Sequence, residues 1–222
     1  MSPILTGPEA QPLSGGPARQ LVVLLHGVGA DGADLAELIP YLAPALPDAA
    51  FIAPDGPEPY DMAPFGRQWF SLADRSVAAL SQGVRRAAPV LDRFLDQQLD
   101  RFALTEADLA LIGFSQGTMT ALHVAPRRER ALAAVVGFSG AMVAPETLAG
   151  ELRSRPRVLL VHGDADEVVN PACLGHAEQS LAAHGIPVLA ESRPDLGHSI
   201  DGPGLSLAIG FLRQAFGLEE DG

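Results

Sequence analysis

Ser115 stands at the centre of Gly113-Phe114-Ser115-Gln116-Gly117, a G-x-S-x-G pentapeptide that follows the apolar run 109–113 (LALIG). The stretch after it contains no early helix breaker. A serine on a sharp strand-to-helix turn exposes its hydroxyl, and glycines two positions away on either side remove side chains that would strike neighbouring backbone. A hydroxyl is a weak nucleophile until a base takes its proton and a third group holds that base in the right tautomer. The chemistry on offer is acyl transfer, provided that an acid and then a histidine follow the serine along the chain.

Both follow. The apolar run 158–162 (VLLVH) leads into Gly163-Asp164-Ala165-Asp166-Glu167-Val168-Val169. Asp166 is expected to be the acid, and Asp164 to cap the loop through backbone N–H groups. The run 186–190 (IPVLA) leads to Asp195-Leu196-Gly197-His198-Ser199, just ahead of the last helical pattern, which makes His198 the base. The near-copy Gly137-Phe138-Ser139-Gly140 lacks the closing glycine and a helix start, so Ser139 is read as structural.

The remaining candidates rank lower. His26 and His162 each close an apolar run as His-Gly and are expected to hydrogen-bond loop backbone. His123, His176 and His184 lie in helical stretches without ligand spacing, and Cys173, at a helix start, reads as a small apolar residue. With no H-E-x-x-H, no paired cysteines and no carboxylate-rich loop, neither a metal nor a cofactor is expected. One feature competes. Gly27-Val28-Gly29-Ala30-Asp31-Gly32 is G-x-G-x-x-G between the run 21–25 (LVVLL) and a helical pattern, the context of a dinucleotide-binding turn and of an NAD-dependent oxidoreductase.

These residues need elements to hold them. The runs at 21–25, 49–53, 109–113, 132–138, 158–162 and 186–190 are short, continuous and non-alternating, as strands buried on both faces of a mostly parallel sheet should be. Helical patterns separate them. Leu35, Leu38, Ile39 and Leu42 form one that Pro40 and Pro44 must bend or end. A second spans 76–100 with a kink expected at Pro89, a third spans 172–183, and the last runs from about 204, with Pro203 suited to a first helical position. The fold class expected is α/β, as one domain over 20–217, with a flexible segment over 1–19 and an acidic tail over 218–222. Between strand and helix, 54–75 carries four prolines with Met62, Phe65, Trp69, Phe70 and Leu72. Its aromatics either serve the site or pin the loop to the body.

Composition narrows the classes. Twenty-seven acidic against 15 basic residues give a net charge of −12, which should repel nucleic acid and anionic membranes. The chain contains no lysine, which excludes Schiff-base lysines, P-loop lysines and Ser-Lys dyads. No apolar run reaches the ~18 residues of a membrane span. The N-terminal stretch lacks the basic and apolar regions of a secretory signal, and the single cysteine cannot form an intrachain disulfide, so a cytoplasmic setting is expected.

HGVGADG (26–32), GRQWFSL (66–72), GFSQGTMTAL (113–122), HGDADEVV (162–169) and LGHSIDG (196–202), in this order, resemble the carboxylesterase/phospholipase family that includes the acyl-protein thioesterases. The resemblance covers roughly residues 20 to 216. It implies an α/β-hydrolase with a mostly parallel central sheet, helices on both faces and no large lid domain. It implies Ser115, Asp166 and His198 as catalytic triad and the backbone amides of Val28 and Gln116 as oxyanion hole. Trp69 would lie near the acyl pocket, together with Phe70, Leu72 and Met62. The function so implied is a serine carboxylesterase that hydrolyses short- to medium-chain esters or thioesters through an acyl-enzyme, with lysophospholipid or acyl-protein thioester as candidate substrates. A dienelactone-hydrolase-like enzyme, which generally carries Cys at the elbow, and a catalytically silent binding module are the alternatives. The partner expected is a small acyl ester, with no nucleic acid, no stable membrane insertion and a homodimer as one option for assembly. In this light the glycine turn presents the Val28 N–H to a transient alkoxide, and its dinucleotide spacing is coincidence.

Overall fold

The computed structural model describes residues 5–218. Its strands are β1 (Glu9–Ala10), β2 (Gln20–Leu25), β3 (Ala49–Ile52), β4 (Glu58–Pro59), β5 (Arg67–Gln68), β6 (Leu109–Phe114), β7 (Ala134–Phe138), β8 (Arg157–Gly163) and β9 (Val188–Arg193). Its α-helices are α1 (Gly32–Ala36), α2 (Ile39–Leu42), α3 (Val77–Phe102), α4 (Gln116–Val124), α5 (Leu148–Glu151), α6 (Ala172–Ala183) and α7 (Gly202–Ala215). Seven strands form one sheet in the order β1-β3-β2-β6-β7-β8-β9, parallel except for β1, while β4 and β5 make a separate antiparallel hairpin.

The continuous apolar runs serve two cores at once, because successive strand side chains point to opposite faces. Leu21, Val23 and Leu25 join Leu109, Leu111, Val135 and Leu160 beneath α3, α4 and α6. Val22 and Leu24 join Phe51, Ile112, Val136 and Val161 on the other face, where α1, α2 and α7 pack. Because β2, β6, β7, β8 and β9 run parallel, the loops that follow them gather at one edge of the sheet, where sites in such folds are built.

Several expectations change. Residues 5–19, mostly exposed, are nonetheless anchored: Leu5 is buried, β1 pairs with β3, and Pro8 O and Thr6 O accept from the Ala53 and Asp55 amides. A two-residue strand is too short for a periodic signal, so its sequence reads as a frayed end. Among the tail residues only Leu218 lies within the described residues. α3 runs without interruption through Pro89, which sits on its exposed side, where the Arg85 carbonyl that loses its helical partner can face water. Between Asp31 and Ala43 the prolines leave two short helices in place of one. The last strand begins at Val188, not 186, and continues to Arg193 through polar residues, because β9 is the sheet edge and is covered on one side only.

A buried histidine and a partly exposed glutamate tie α3, α4 and α5 to pH. Burial, reinforced by Arg127 and Arg85, pushes the His123 imidazole down from 6.5 to about 4. Burial pushes the Glu151 carboxyl up, but bonds from Arg127 (2.7 Å) and Arg85 (2.6 Å) outweigh it and hold the group at about 2, against 4.5 ordinarily. Between pH 6.5 and 4 the unfolded His123 binds a proton that the folded one refuses, so stability falls as pH drops through that window. Glu151 extends the loss from pH 4.5 towards 2, weakly because it is about one-third exposed. Urea midpoints should therefore decline from pH 6.5 to 4, and His123→Leu should flatten that decline.

Candidate active site

Ser115 forms the corner between β6 and α4, with φ 52° and ψ −114°, a left-handed backbone that a non-glycine residue adopts at a cost. The surroundings enforce it. A Cβ on Gly113 would lie 2.5 Å from the Thr118 nitrogen, and one on Gly117 1.8 Å from the Leu25 carbonyl oxygen. The Ser115 amide donates to Phe138 O (2.9 Å), which fixes the corner to β7. The side chain is 94% shielded yet lines a cavity. Ser139 also has a positive φ (47°), but its Oγ only reaches the Ser199 carbonyl at 3.5 Å.

The loops after β8 and β9 are zipped together. Asp164 donates its amide to Arg193 O and accepts from the Asp195 amide (2.7 Å), and the Ala165 amide donates to Leu196 O (3.0 Å). Gly163 permits the approach, since a Cβ there would meet Leu196 O at 2.0 Å. The result sets His198 Nδ1 2.7 Å from Asp166 Oδ2. Asp166 Oδ1 accepts from the amides of Val168 (2.8 Å) and Val169 (2.9 Å). Burial pushes the Asp166 carboxyl up, but the His198 bond and the two amides outweigh it and hold it below the ordinary carboxylate value. An ionised carboxylate only accepts, so His198 Nδ1 carries the proton and Nε2 is left as the basic nitrogen. The His198 ring packs on Phe114, the residue before Ser115, with centroids 4.8 Å apart. His162 does bond loop backbone, with Nε2 3.0 Å from Val169 O, and it also lies 3.1 Å from Asp166 Oδ2.

The glycine turn is held by the 54–75 loop. Gly29 has φ +83° and donates its amide to Arg67 O (2.8 Å), while the Arg67 amide donates to Ala30 O (2.7 Å). His26 Nδ1 donates to Gly27 O (2.7 Å), and its Nε2 accepts from the Gly56 amide (2.8 Å). Burial lowers its pKa and keeps this neutral arrangement. Trp69 Nε1 donates to His26 O (3.0 Å), and its amide donates to Gln116 Oε1 (2.8 Å). Gln116 Nε2 donates to Phe70 O (2.6 Å), so one carboxamide clamps the loop to the serine corner. Among the described residues no protein group accepts from the Val28 or Gln116 amide. The turn does not offer these amides to a pyrophosphate: Asp31 and Asp55 carboxylates already take the first amides of α1, at Ala33 and Gly32. Two negative charges there would repel one.

Beside Ser115 lies a cavity of about 250 Å³, lined by Val28, Leu72, Leu80, Met119, Val169 and Cys173 among others. This corrects the expected pocket. Of Trp69, Phe70, Leu72 and Met62, only Leu72 is on the wall. Trp69 and Phe70 are fully buried and hold the loop, and Met62 is 66% exposed. Met119 was missed, although it follows Ser115 by four residues, one helical turn, and so shares its face. Leu80 and Cys173 carried no such signal, for they come from α3 and α6. Among the described residues no cluster of three or more His, Cys, Asp or Glu is placed to hold a metal ion.

A parallel sheet flanked by helices, a serine on a strained strand–helix corner and a histidine–carboxylate pair on the following loops define an α/β-hydrolase. Residues 13–216 match the Phospholipase/Carboxylesterase family, and the chain belongs to it. It is 31% identical over 198 residues to esterase YpfH of Escherichia coli (strain K12), spanning 89% of this chain and 83% of that protein. It is 28% identical over 172 residues to acyl-protein thioesterase 1 of Saccharomyces cerevisiae, spanning 72% and 75% of the two chains. The crystal structure of esterase PE8 aligns with a TM-score of 0.91 at 41% identity, covering 96% of this chain and 99% of that one.

The clamp makes a measurable statement. Gln116→Met keeps the residue's backbone amide but strands the buried Trp69 N–H and Phe70 carbonyl, at a cost of about 1–3 kcal/mol in urea unfolding. Ester hydrolysis should fall roughly 10- to 100-fold in kcat with KM little changed, because the two loops flanking Ser115 lose their mutual register.

Proposed function

We propose that this hydrolase is a serine carboxylesterase that cleaves short- to medium-chain acyl esters or thioesters through a covalent acyl-enzyme on Ser115. The observation that carries the reading is the 2.7 Å bond from His198 Nδ1 to a fully buried Asp166 carboxylate, together with a serine on a strained corner at a cavity wall. His198 Nε2 takes the Ser115 proton as Oγ attacks the acyl carbon. The oxyanion then faces the unbonded amides of Val28 and Gln116, the second at the N-terminus of α4, where losing one such donor typically costs ~3 kcal/mol. His198 protonates the leaving alcohol or thiol, and water repeats the sequence on the acyl-enzyme. Asp166 keeps the imidazole in its tautomer and stabilises its cation.

The cavity supports a modest acyl chain: about 250 Å³, mostly apolar, with Arg75 the one charged side chain on its wall among the described residues. Cys173 also lines it, but burial and the Asp166 charge push its thiol up, away from the thiolate that a cysteine elbow needs. The similarity to the yeast acyl-protein thioesterase makes acyl-protein thioesters candidate substrates alongside oxygen esters.

Ser115→Ala should abolish hydrolysis of p-nitrophenyl butyrate while circular dichroism shows an intact fold; retained turnover would sink the serine assignment. A fluorophosphonate probe should label Ser115 and leave Ser139 unmodified, as read by peptide mass spectrometry. Across p-nitrophenyl esters, kcat/KM should peak at short to medium acyl chains and fall for palmitate, with oxygen ester and thioester series run in parallel.

A further inference from the structure

The cavity beside Ser115 holds a cation without a bonded counter-charge among the described residues. Arg85, Arg101, Arg127, Arg128 and Arg193 pair with carboxylates, and Arg67, Arg155 and Arg213 bond backbone carbonyls. Arg75, on the cavity wall, does neither among the described residues. The neighbouring Asp74 gives Oδ1 to the Ser76 amide at 2.8 Å. Asn170, also on the wall, accepts from the Ala172 amide through Oδ1 at 2.9 Å. Its Nδ2 therefore keeps two hydrogens, and among the described residues no protein acceptor takes them. Around these two donors the wall is Leu72, Leu80, Met119, Val168 and Val169, and no carboxylate lines it among the described residues.

We propose that Arg75, with the Asn170 carboxamide, forms an anion subsite in the acyl cavity and that the preferred acyl chain ends in a carboxylate. The substrate class is then a half-ester or half-thioester of a short dicarboxylic acid. The proposal rests on the reading of Ser115 as the acylated nucleophile. Water solvates the exposed Arg75 guanidinium until an acyl chain fills the cavity. A chain that ends in a methyl group displaces that water and returns no hydrogen bond, which weakens binding. A terminal carboxylate returns two, in the planar fork that a guanidinium presents. One arginine answers one negative charge, and the net charge of −12 turns polyanions away. The bond cleaved remains the acyl C–O or C–S bond. One water is consumed, and a dicarboxylate, an alcohol or thiol and a proton are released.

The test uses the full chain with p-nitrophenyl hydrogen adipate and its neutral counterpart, p-nitrophenyl methyl adipate, after subtraction of the uncatalysed rates. The ratio of kcat/KM, charged over neutral, should be roughly tenfold for the wild type, the scale of a charge-assisted bidentate pair. Arg75→Gln should bring the ratio towards one and Arg75→Glu below one. Arg75→Lys, which keeps the charge and loses the fork, should fall between Gln and wild type. Raising salt from about 20 to about 500 mM should shrink the wild-type ratio and leave that of the Gln variant in place. A wild-type ratio at or below one overturns the proposal, as does a ratio that Arg75→Gln does not lower. A second pair, 4-carboxyphenyl butyrate and its methyl ester, moves the charge to the leaving group. If Arg75→Gln abolishes a preference there and not on adipate, the anion site serves the leaving group and the acyl-side proposal falls. Ser115→Ala separates the two levels. If it retains turnover, the acyl-enzyme reading fails and this proposal with it; if it is inactive while the ratio ignores Arg75, this proposal fails alone.

Discussion

The left-handed corner at Ser115 is the constraint on which the other parts depend. Its φ of 52° is sustained because α4 sits so close to the sheet that Gly117 touches the end of β2 and Gly113 touches the helix's own first turn. The same close packing brings the ends of β2, β6 and β7 against one another, through Leu25 O, Ser115 and Phe138 O. Strain of order 1–3 kcal/mol is tolerable only where neighbours over-determine the backbone, and here three strands and a helix do so.

From that corner two hydrogen-bonded systems extend, one on each side. On one side Gln116, Trp69 and His26 bind the 54–75 loop to the glycine turn, with each buried polar atom facing a backbone partner. On the other, Asp166 collects two amides and the His198 imidazole, and the loops after β8 and β9 close around it. Both systems sit in a poorly polarisable interior, where a satisfied network is rigid and an unsatisfied one is costly. Rigidity of this kind suits the proposed acyl transfer, in which the charge to be met appears only in the transition state.

The glycine turn shows how one local pattern can be read two ways. G-x-G-x-x-G after a strand offers backbone amides to an anion in either reading. Asp31 and Asp55 decide between them, since their carboxylates occupy the helix-start amides that a pyrophosphate would claim. Asp31 is visible inside the motif, but Asp55 arrives from the far side of β3, 23 residues on.

What the chain's own order of residues determined was the frame: apolar runs that must be strands buried on two faces, and a serine, an acid and a histidine each placed just after one of them. Those signals are local, and a parallel sheet necessarily gathers such positions at one edge. The family motifs added Val28 and Gln116, whose amides the structure leaves without protein acceptors among the described residues. Only the tertiary structure decided what Trp69 and Phe70 do, because an aromatic in a loop packs equally well against substrate or against its own backbone until the fold closes over it. It also decided that Met119, Leu80 and Cys173, from three different helices, share one cavity wall. The partner of His162 belongs to the same class. The sequence context of His162, His-Gly at a strand end, matches that of His26, and only the path of the following loop gives one the Val169 carbonyl and the other the Gly56 amide.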